Sequence, residues 1–474
     1  MSRIRLNAVA VMGIASSITT GASVLAQCEL QKLTASDANG SCEDFGFSVS
    51  VSDDVAAIGA QADDDASPGD PNCISGSAYV FRRIGATWVE EQKLTASDAE
   101  CGDHFGAAVS ISSINGHVVA VGAWGKSQGS WNACGAAYMF RWNGSTWIQE
   151  QKLTSADPSP GDGFGASISV SGATVIVGEP GDDCGAGDHC GSAYVYRFNG
   201  NDWTQEAKLT ASDGMSQDRF GTSVAISESY VVVGATGDDD EGDDSGSAYV
   251  FGFYGGNWLQ EAKLAPSALA SGDHFGMSVF LDGNTIIAGA DQDDCVDGPD
   301  CGSAYIFRRG ESDWIQEDRL VASDASQDDC FGKSVSIQGD IALVGAINDD
   351  CAGGSACGAA YLFARNDNGT PPDFSDDFWE ETGKPVASTP GESDYFGHSV
   401  ALAGTQAMVG ADGDDDACPG EPVWCNSGAV YVYSLQPCPQ IPLLSEWALA
   451  VMALLLLSAG AALSVKRRQA PVDS

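Results

Sequence analysis

The chain has 474 residues, and its 66 Asp and Glu against 22 Lys and Arg give a formal net charge of −44. That balance excludes nucleic acid and anionic lipid headgroups as partners, since each is bound through a basic patch. It does not indicate disorder, because 43% of the residues are hydrophobic and they recur in strict order.

Residues 1–26 read as a secretory signal: Arg3 and Arg5 form a basic start, an apolar run follows, and SVLA ends on the small Ala26. An amino-terminal membrane anchor is the competing reading, and the Ser and Thr that break the apolar run weigh against it. Export suits the 15 cysteines, a number unusual for a reduced cytosol.

Next comes QCELQKLTASD (27–37), a phrase that returns as WVEEQKLTASD (88–98), WIQEQKLTSAD (147–157) and WTQEAKLTASD (203–213). Phe-Gly recurs in register at 45–46, 105–106, 164–165, 220–221, 275–276, 331–332 and 396–397, the mark of a repeat architecture. Each copy carries four signals. After Phe-Gly, Val and Ile alternate with Ser, as in FGFSVSVS (45–52), which predicts a strand with one packed face. A short apolar run then ends in Gly-Ala, as in VVVGA (231–235), and GSAYVF (246–251) follows. The fourth signal, after a turn rich in Gly and Asn, is a Trp-led segment such as WLQEAKL (258–264). Four strands without a helix signature make a propeller blade, and seven copies predict an all-β, seven-bladed propeller over 27–436.

The seventh copy is incomplete. GAVYVY (428–433) runs into SLQPCPQIP (434–442) with no Trp-led strand, and the missing strand is the one at 27–33. The amino-terminal strand is therefore expected to complete blade seven, closing a ring with no unpaired first or last blade. A linear solenoid would need capping repeats that the sequence does not show. Cys28 and Cys438 are expected to lock the closure. Blade two carries an unusual loop, GAWGKSQGSWNAC (122–134), and blade six an insert at 365–377.

Residues 437–446 read as a linker. Residues 447–465 are uncharged and long enough to span a bilayer as a transmembrane helix. Lys466, Arg467 and Arg468 open a basic tail, 466–474, expected to stay cytoplasmic.

The repeated Phe-Gly, Gly-Ala and Gly-x-Ala-Tyr-Val-Phe signals resemble the FG-GAP repeat of integrin alpha-chain heads and of bacterial surface proteins, over about 28–433. The resemblance implies a ligand-facing side built from the loops that join strands 2–3 and 4–1. Integrin repeats often hold calcium in an Asp-x-Asp-x-Asp-Gly-x-x-Asp loop between the first two strands. Here that link is only SDD (52–54), SGA (171–173) or SES (227–229), so that site does not carry over. The stretch IPLLSEW (441–447) resembles the IPTL-CTERM sorting signal, with Leu443 where Thr is usual. It implies processing by an exosortase-type enzyme; retention as a plain membrane anchor is the alternative.

Up-and-down strands sort the charges. An acid stands two residues before each Phe of Phe-Gly, in the 4–1 loops: Glu43, Asp103, Asp162, Asp218, Asp273, Asp329 and Asp394. Paired aspartates follow Gly-Ala in the 2–3 loops of six blades: Asp63/Asp64, Asp182/Asp183, Asp238/Asp239, Asp293/Asp294, Asp349/Asp350 and Asp414/Asp415. Blade two has Lys126 and Ser127 instead. Arg82, Arg83, Arg141, Arg197, Arg308, Arg309 and Arg365 lie near the 3–4 turns of the opposite face, and Lys126 and Arg219 are the basic residues of the acidic-face loops. Three neighbouring carboxylates suit a hard cation such as calcium, and they repel one another by roughly 1 kcal/mol per pair in water. These aspartates are therefore candidate calcium ligands. They are equally candidate turn caps, accepting hydrogen bonds from backbone N–H groups.

The close pairs Cys184/Cys190, Cys295/Cys301, Cys351/Cys357 and Cys418/Cys425 lack zinc-site partners and read as loop disulfides. Loop positions add Cys42 with Cys73 and Cys101 with Cys134, leaving Cys330 over. No nucleophile–base pair, phosphate loop or zinc motif is present. His104 and His274 read as loop packing, and Trp88, Trp147, Trp203, Trp258, Trp314 and Trp379, at one repeat position, as blade packing.

The sequence thus describes a non-enzymatic binding or adhesion module for a protein or glycan. It is exported, and either anchored at the bacterial cell envelope or released after processing. A calcium-stabilised structural surface protein, and a glycan hydrolase using a carboxylate pair, are the alternatives.

Overall fold

The computed structural model describes residues 28–37, 43–64, 73–114, 116–129, 132–296, 298–352, 354–366, 377–416 and 426–436. The signal at 1–26, the linker, transmembrane and tail segments at 437–474, and most of the blade-six insert lie outside them. Among the described residues no helix is long and apolar enough to cross a membrane.

Seven four-stranded antiparallel sheets follow one another along the chain. Blade four is representative, with strands Phe220–Ile226, Tyr230–Ala235, Ser247–Tyr254 and Asn257–Leu264 in spatial order. Its second strand is a continuous apolar run because both faces are covered, and all but Tyr230 is buried. Its outer strand keeps Trp258 and Leu264 buried while its middle residues are half-exposed. Between the third and fourth strands the register shifts by one residue at Val250/Phe251. All seven blades share this shift, and such bulges increase the local twist.

The ring closes as expected. Cys28–Leu33 pairs antiparallel with Ala429–Ser434, matching Lys32 with Tyr431 and Leu33 with Val430. Cys28 is disulfide-bonded; its expected partner, Cys438, lies outside the described residues.

Phe-Gly joins neighbouring blades. Each Phe forms a parallel bridge with the Gly that precedes strand three of the previous blade, as in Phe275 with Gly246 and, at the seam, Phe45 with Gly428. The Phe ring packs edge-on against the Tyr of its own blade, with Phe220 and Tyr249 centroids 5.5 Å apart. Both side chains are fully buried, and burying a Phe is worth roughly 1.5–3 kcal/mol. The Gly of Gly-Ala allows the close approach: a Cβ on Gly289 would lie 1.9 Å from the carbonyl oxygen of Gly332 in the next blade. The hydrophobic clusters accordingly lie between blades. One joins Val232, Val250 and Leu264 of blade four to Phe275, Ile286, Tyr305 and Trp314 of blade five.

The inter-blade bridge corrects two expected disulfides. Cys73 bonds Cys101, so neither Cys42–Cys73 nor Cys101–Cys134 forms. The reason is the seam geometry. The 2–3 loop of blade one lies beside the 4–1 loop that enters blade two, where Gly102 and Phe105 donate backbone hydrogen bonds to Ile74 and Ser75. Cys184–Cys190, Cys295–Cys301 and Cys351–Cys357 are joined, whereas Cys42, Cys418 and Cys425 lie outside the described residues. Cys330 forms no disulfide; its thiol, pushed up to about 11 by burial, accepts a hydrogen bond from Asn348.

Candidate functional site

The 2–3 and 4–1 loops gather on one face, and each class of acid there has a distinct role. The acids before Phe-Gly accept a hydrogen bond from the backbone N–H three residues earlier: Asp103 from Glu100, Asp162 from Ser159, Asp218 from Met215, Asp273 from Ala270, Asp329 from Ser326 and Asp394 from Gly391. Each closes its 4–1 loop as a turn cap. The second aspartate of the pair caps the 2–3 loop in four blades, where Asp183, Asp239, Asp294 and Asp350 accept from the N–H of His189, Asp244, Asp300 and Ala356. Asp64 is half-buried and Asp415 exposed at the same place.

The first aspartate of each pair is buried in an ionic network. In blade four, Tyr249 donates to Asp238 at 2.6 Å and to Asp213 at 3.0 Å, and Lys263 bonds the same two carboxylates at 2.8 and 3.0 Å. The ammonium also lies over the Tyr249 ring, 5.2 Å from its centroid. Matching pairs are Lys93 with Asp63, Lys208 with Asp182, Arg319 with Asp293, Lys384 with Asp349 and, across the closing strand, Lys32 with Asp414. The strand register sets this up, since the Tyr of strand three and the Lys of strand four are directly opposed, as Tyr249 with Lys263 and Tyr79 with Lys93.

Sequence reasoning missed these lysines. Charges were sorted by the loop that carries them, yet a lysine side chain on an outer strand reaches the end of its blade. The readable signal was the Lys or Arg recurring at one position of every repeat. Lys126 of blade two is only 3% exposed and bonds Asp103 at 3.0 Å, Glu100 at 3.2 Å and the carbonyl of Asp98. It brings an internal cation to the blade that lacks the paired aspartates.

Blade three differs in the opposite sense. Glu179 stands where the other blades have Ala60, Ala123, Ala235, Ala290, Ala346 and Ala411. Its side chain is fully buried, and its Oε2 accepts from Ser155 at 3.2 Å and Ser192 at 3.3 Å. Its Oε1 has no hydrogen-bond partner. Burial, then Asp182 and Asp162, push this carboxyl up to about 8, against the nearby hydroxyls of Tyr194 and Ser155. Asp162, Glu179 and Asp182 are all buried, with ligand atoms within 4.8 Å of one another. Among the described residues, this is the group of three acidic or His/Cys side chains close enough to hold a metal ion. Of the expected calcium ligands it unites Asp162 and Asp182; the sequence reading missed Glu179, whose signal was one departure from Gly-Ala in VIVGEP (175–180).

His104 stacks on Trp124 with ring centroids 4.5 Å apart, and the six recurring tryptophans are buried. The sequence profile described as FG-GAP repeat matches seven segments, 28–81, 88–140, 147–196, 203–251, 258–307, 314–363 and 379–433, which together make up more than half of the chain. No curated protein matches the chain.

Proposed function

Because the chain belongs to the FG-GAP repeat family, we propose that it is an exported binding or adhesion module whose contact surface is the face of 2–3 and 4–1 loops. The observation that carries this reading is the division between buried and exposed acids on that face. The buried first aspartates of the pairs are matched by Lys, Arg and Tyr, whereas Asp183, Asp239, Asp243, Asp294, Asp350 and Asp415 remain exposed around the ring. A surface of that kind suits a cationic protein segment, or a glycan approached through a bridging cation, and disfavours nucleic acid.

Display at the cell envelope through residues 447–465, with or without removal by an exosortase-type enzyme, belongs to the same reading. Fractionation of the full-length chain in a host with and without such an enzyme tests that part. Retention in membranes in both hosts would leave the plain anchor, and recovery with the soluble fraction in both would remove the anchoring proposal.

Binding is tested on a glycan array and on immobilised polylysine. The fourfold variant Asp183→Asn, Asp239→Asn, Asp294→Asn, Asp350→Asn is compared with one neutralising Asp54, Asp282, Asp313 and Asp340 on the opposite side. The acidic-face variant is expected to lose affinity at least about tenfold, with a weaker salt dependence, while the control retains it. Equal losses in both, or in neither, would remove the acidic face as the contact surface.

A further inference from the structure

We propose that blade three binds one hard divalent cation between Asp162, Glu179 and Asp182, serving the role that the Lys126 ammonium serves in blade two. Three observations converge. The three carboxylates are buried and mutually within 4.8 Å. One of their oxygens, Glu179 Oε1, is buried without any donor, although a buried polar atom is normally satisfied. The repeat itself supplies the comparison: Lys126 occupies the position of Asp182, and its Nζ lies 3.0 Å from Asp103, the counterpart of Asp162.

The local charge count leads the same way. Blade four buries two acids here, Asp218 and Asp238, with Asp213 and Asp240 exposed beside Lys263, whereas blade three buries three, Asp162, Glu179 and Asp182, with Asp157 exposed beside Lys208. Lys208 is engaged at 2.8 Å by Asp157 and 2.7 Å by Asp182. Tyr194 donates to Asp157 at 2.7 Å, and Ser155 to Glu179 Oε2, so no hydrogen-bond donor reaches Oε1. An all-oxygen donor set of carboxylates flanked by hydroxyls selects a hard cation over zinc or copper. This place lies at the opposite end of the blade from the link between strands one and two, and among the described residues it occurs in one blade.

The test uses the full propeller stripped with EDTA and titrated with calcium chloride at pH 8. Melting temperature and tyrosine-sensitised terbium luminescence are the readouts. The wild-type chain is expected to gain about 3 °C or more once calcium exceeds its Kd a hundredfold, and to bind terbium. Glu179→Ala installs the residue of the other six blades and so keeps the fold. It is expected to abolish the calcium shift, weaken terbium binding at least about 100-fold, and melt above the wild type in EDTA. Glu179→Gln, which keeps the size and removes the charge, should also lose the shift. A wild-type chain indifferent to calcium and terbium would mean that the site holds a proton, and an equal response in Glu179→Ala would place the ion elsewhere; either result overturns the proposal. Ligand capture by the exposed acids is measured separately and can fail or succeed independently.

Discussion

At the scale of single residues, burial splits the carboxyl groups of the acidic face into two opposed sets. Asp162, Asp218, Asp273, Asp329 and Asp394 are each pushed up to about 6, first by burial, with neighbouring 2–3 loop aspartates adding to it. At Asp37, Asp98, Asp213 and Asp324 burial also opposes ionisation. There, hydrogen bonds from Lys and Tyr outweigh it and hold the carboxyls below the usual range. The two sets act in opposite directions on stability. A raised carboxyl binds its proton more tightly in the folded state, so its contribution is complete below the unfolded value near 3.8 and is lost as pH rises through about 6. A lowered carboxyl contributes above its unfolded value and fails as pH falls through its folded one. Calorimetry in low salt with EDTA should therefore find the highest melting temperature in the mildly acidic range, between about pH 4 and 6, and a decline toward neutrality. Glu179, at about 8, should extend the decline past pH 7, and Glu179→Ala should flatten that part of the curve. A melting temperature that climbs steadily from about pH 4.5 to 7.5 would contradict this account.

At the scale of the strand and the blade, the glycines of Gly-Ala govern how closely neighbours approach. Gly289→Ala would place a methyl 1.9 Å from the Gly332 carbonyl oxygen and 2.6 Å from Ser278 Oγ. Backbone of the next blade would have to move, and a cost of at least about 2 kcal/mol is expected. Gly283→Ala sits in a hairpin turn at φ +58 with nothing within 4 Å, so only the left-handed backbone penalty of about 1 kcal/mol applies. Urea midpoints should rank Gly289→Ala well below Gly283→Ala; the reverse order would deny the close-approach role. The blades were legible in the sequence because each strand writes its own periodicity, and the closure was legible because a strand missing at one end reappears at the other. What remained hidden depends on partners in another strand or blade. Cys73 was matched with Cys42 on a within-blade argument, while Gly76–Phe105 pairing brings Cys101 beside it. The bulge before Phe251 has no letter of its own, and Lys263 reveals its acidic partners only once its register opposite Tyr249 is known. Glu179 was visible as one exception among seven, but nothing in the sequence showed that its carboxylate would be fully enclosed.

At the scale of the whole molecule, the closing strand gives blade seven the same four strands as the other six, so that no blade ends on its third strand. Cys28–Leu33 covers the outer edge of Ala429–Ser434, and Lys32 compensates the buried Asp414 at 2.7 Å. Deleting residues 27–33 removes both at once. The exposed edge then offers unpaired N–H and C=O groups to another chain, and Asp414 is left buried without its ammonium, a loss of a kind that costs about 3–5 kcal/mol. The truncated chain should melt several degrees lower and elute in part as dimers or larger species. A synthetic peptide of residues 27–37, QCELQKLTASD, should restore the monomer by adding a strand to that edge. The same peptide with Lys32→Met should bind more weakly, since it supplies the backbone ladder without the charge. Light scattering and melting curves with and without peptide decide the matter. A truncated chain that stays monomeric and melts within about 1 °C of the intact one would show that blade seven is stable on three strands, and that the ring does not rely on its amino-terminal strand for closure.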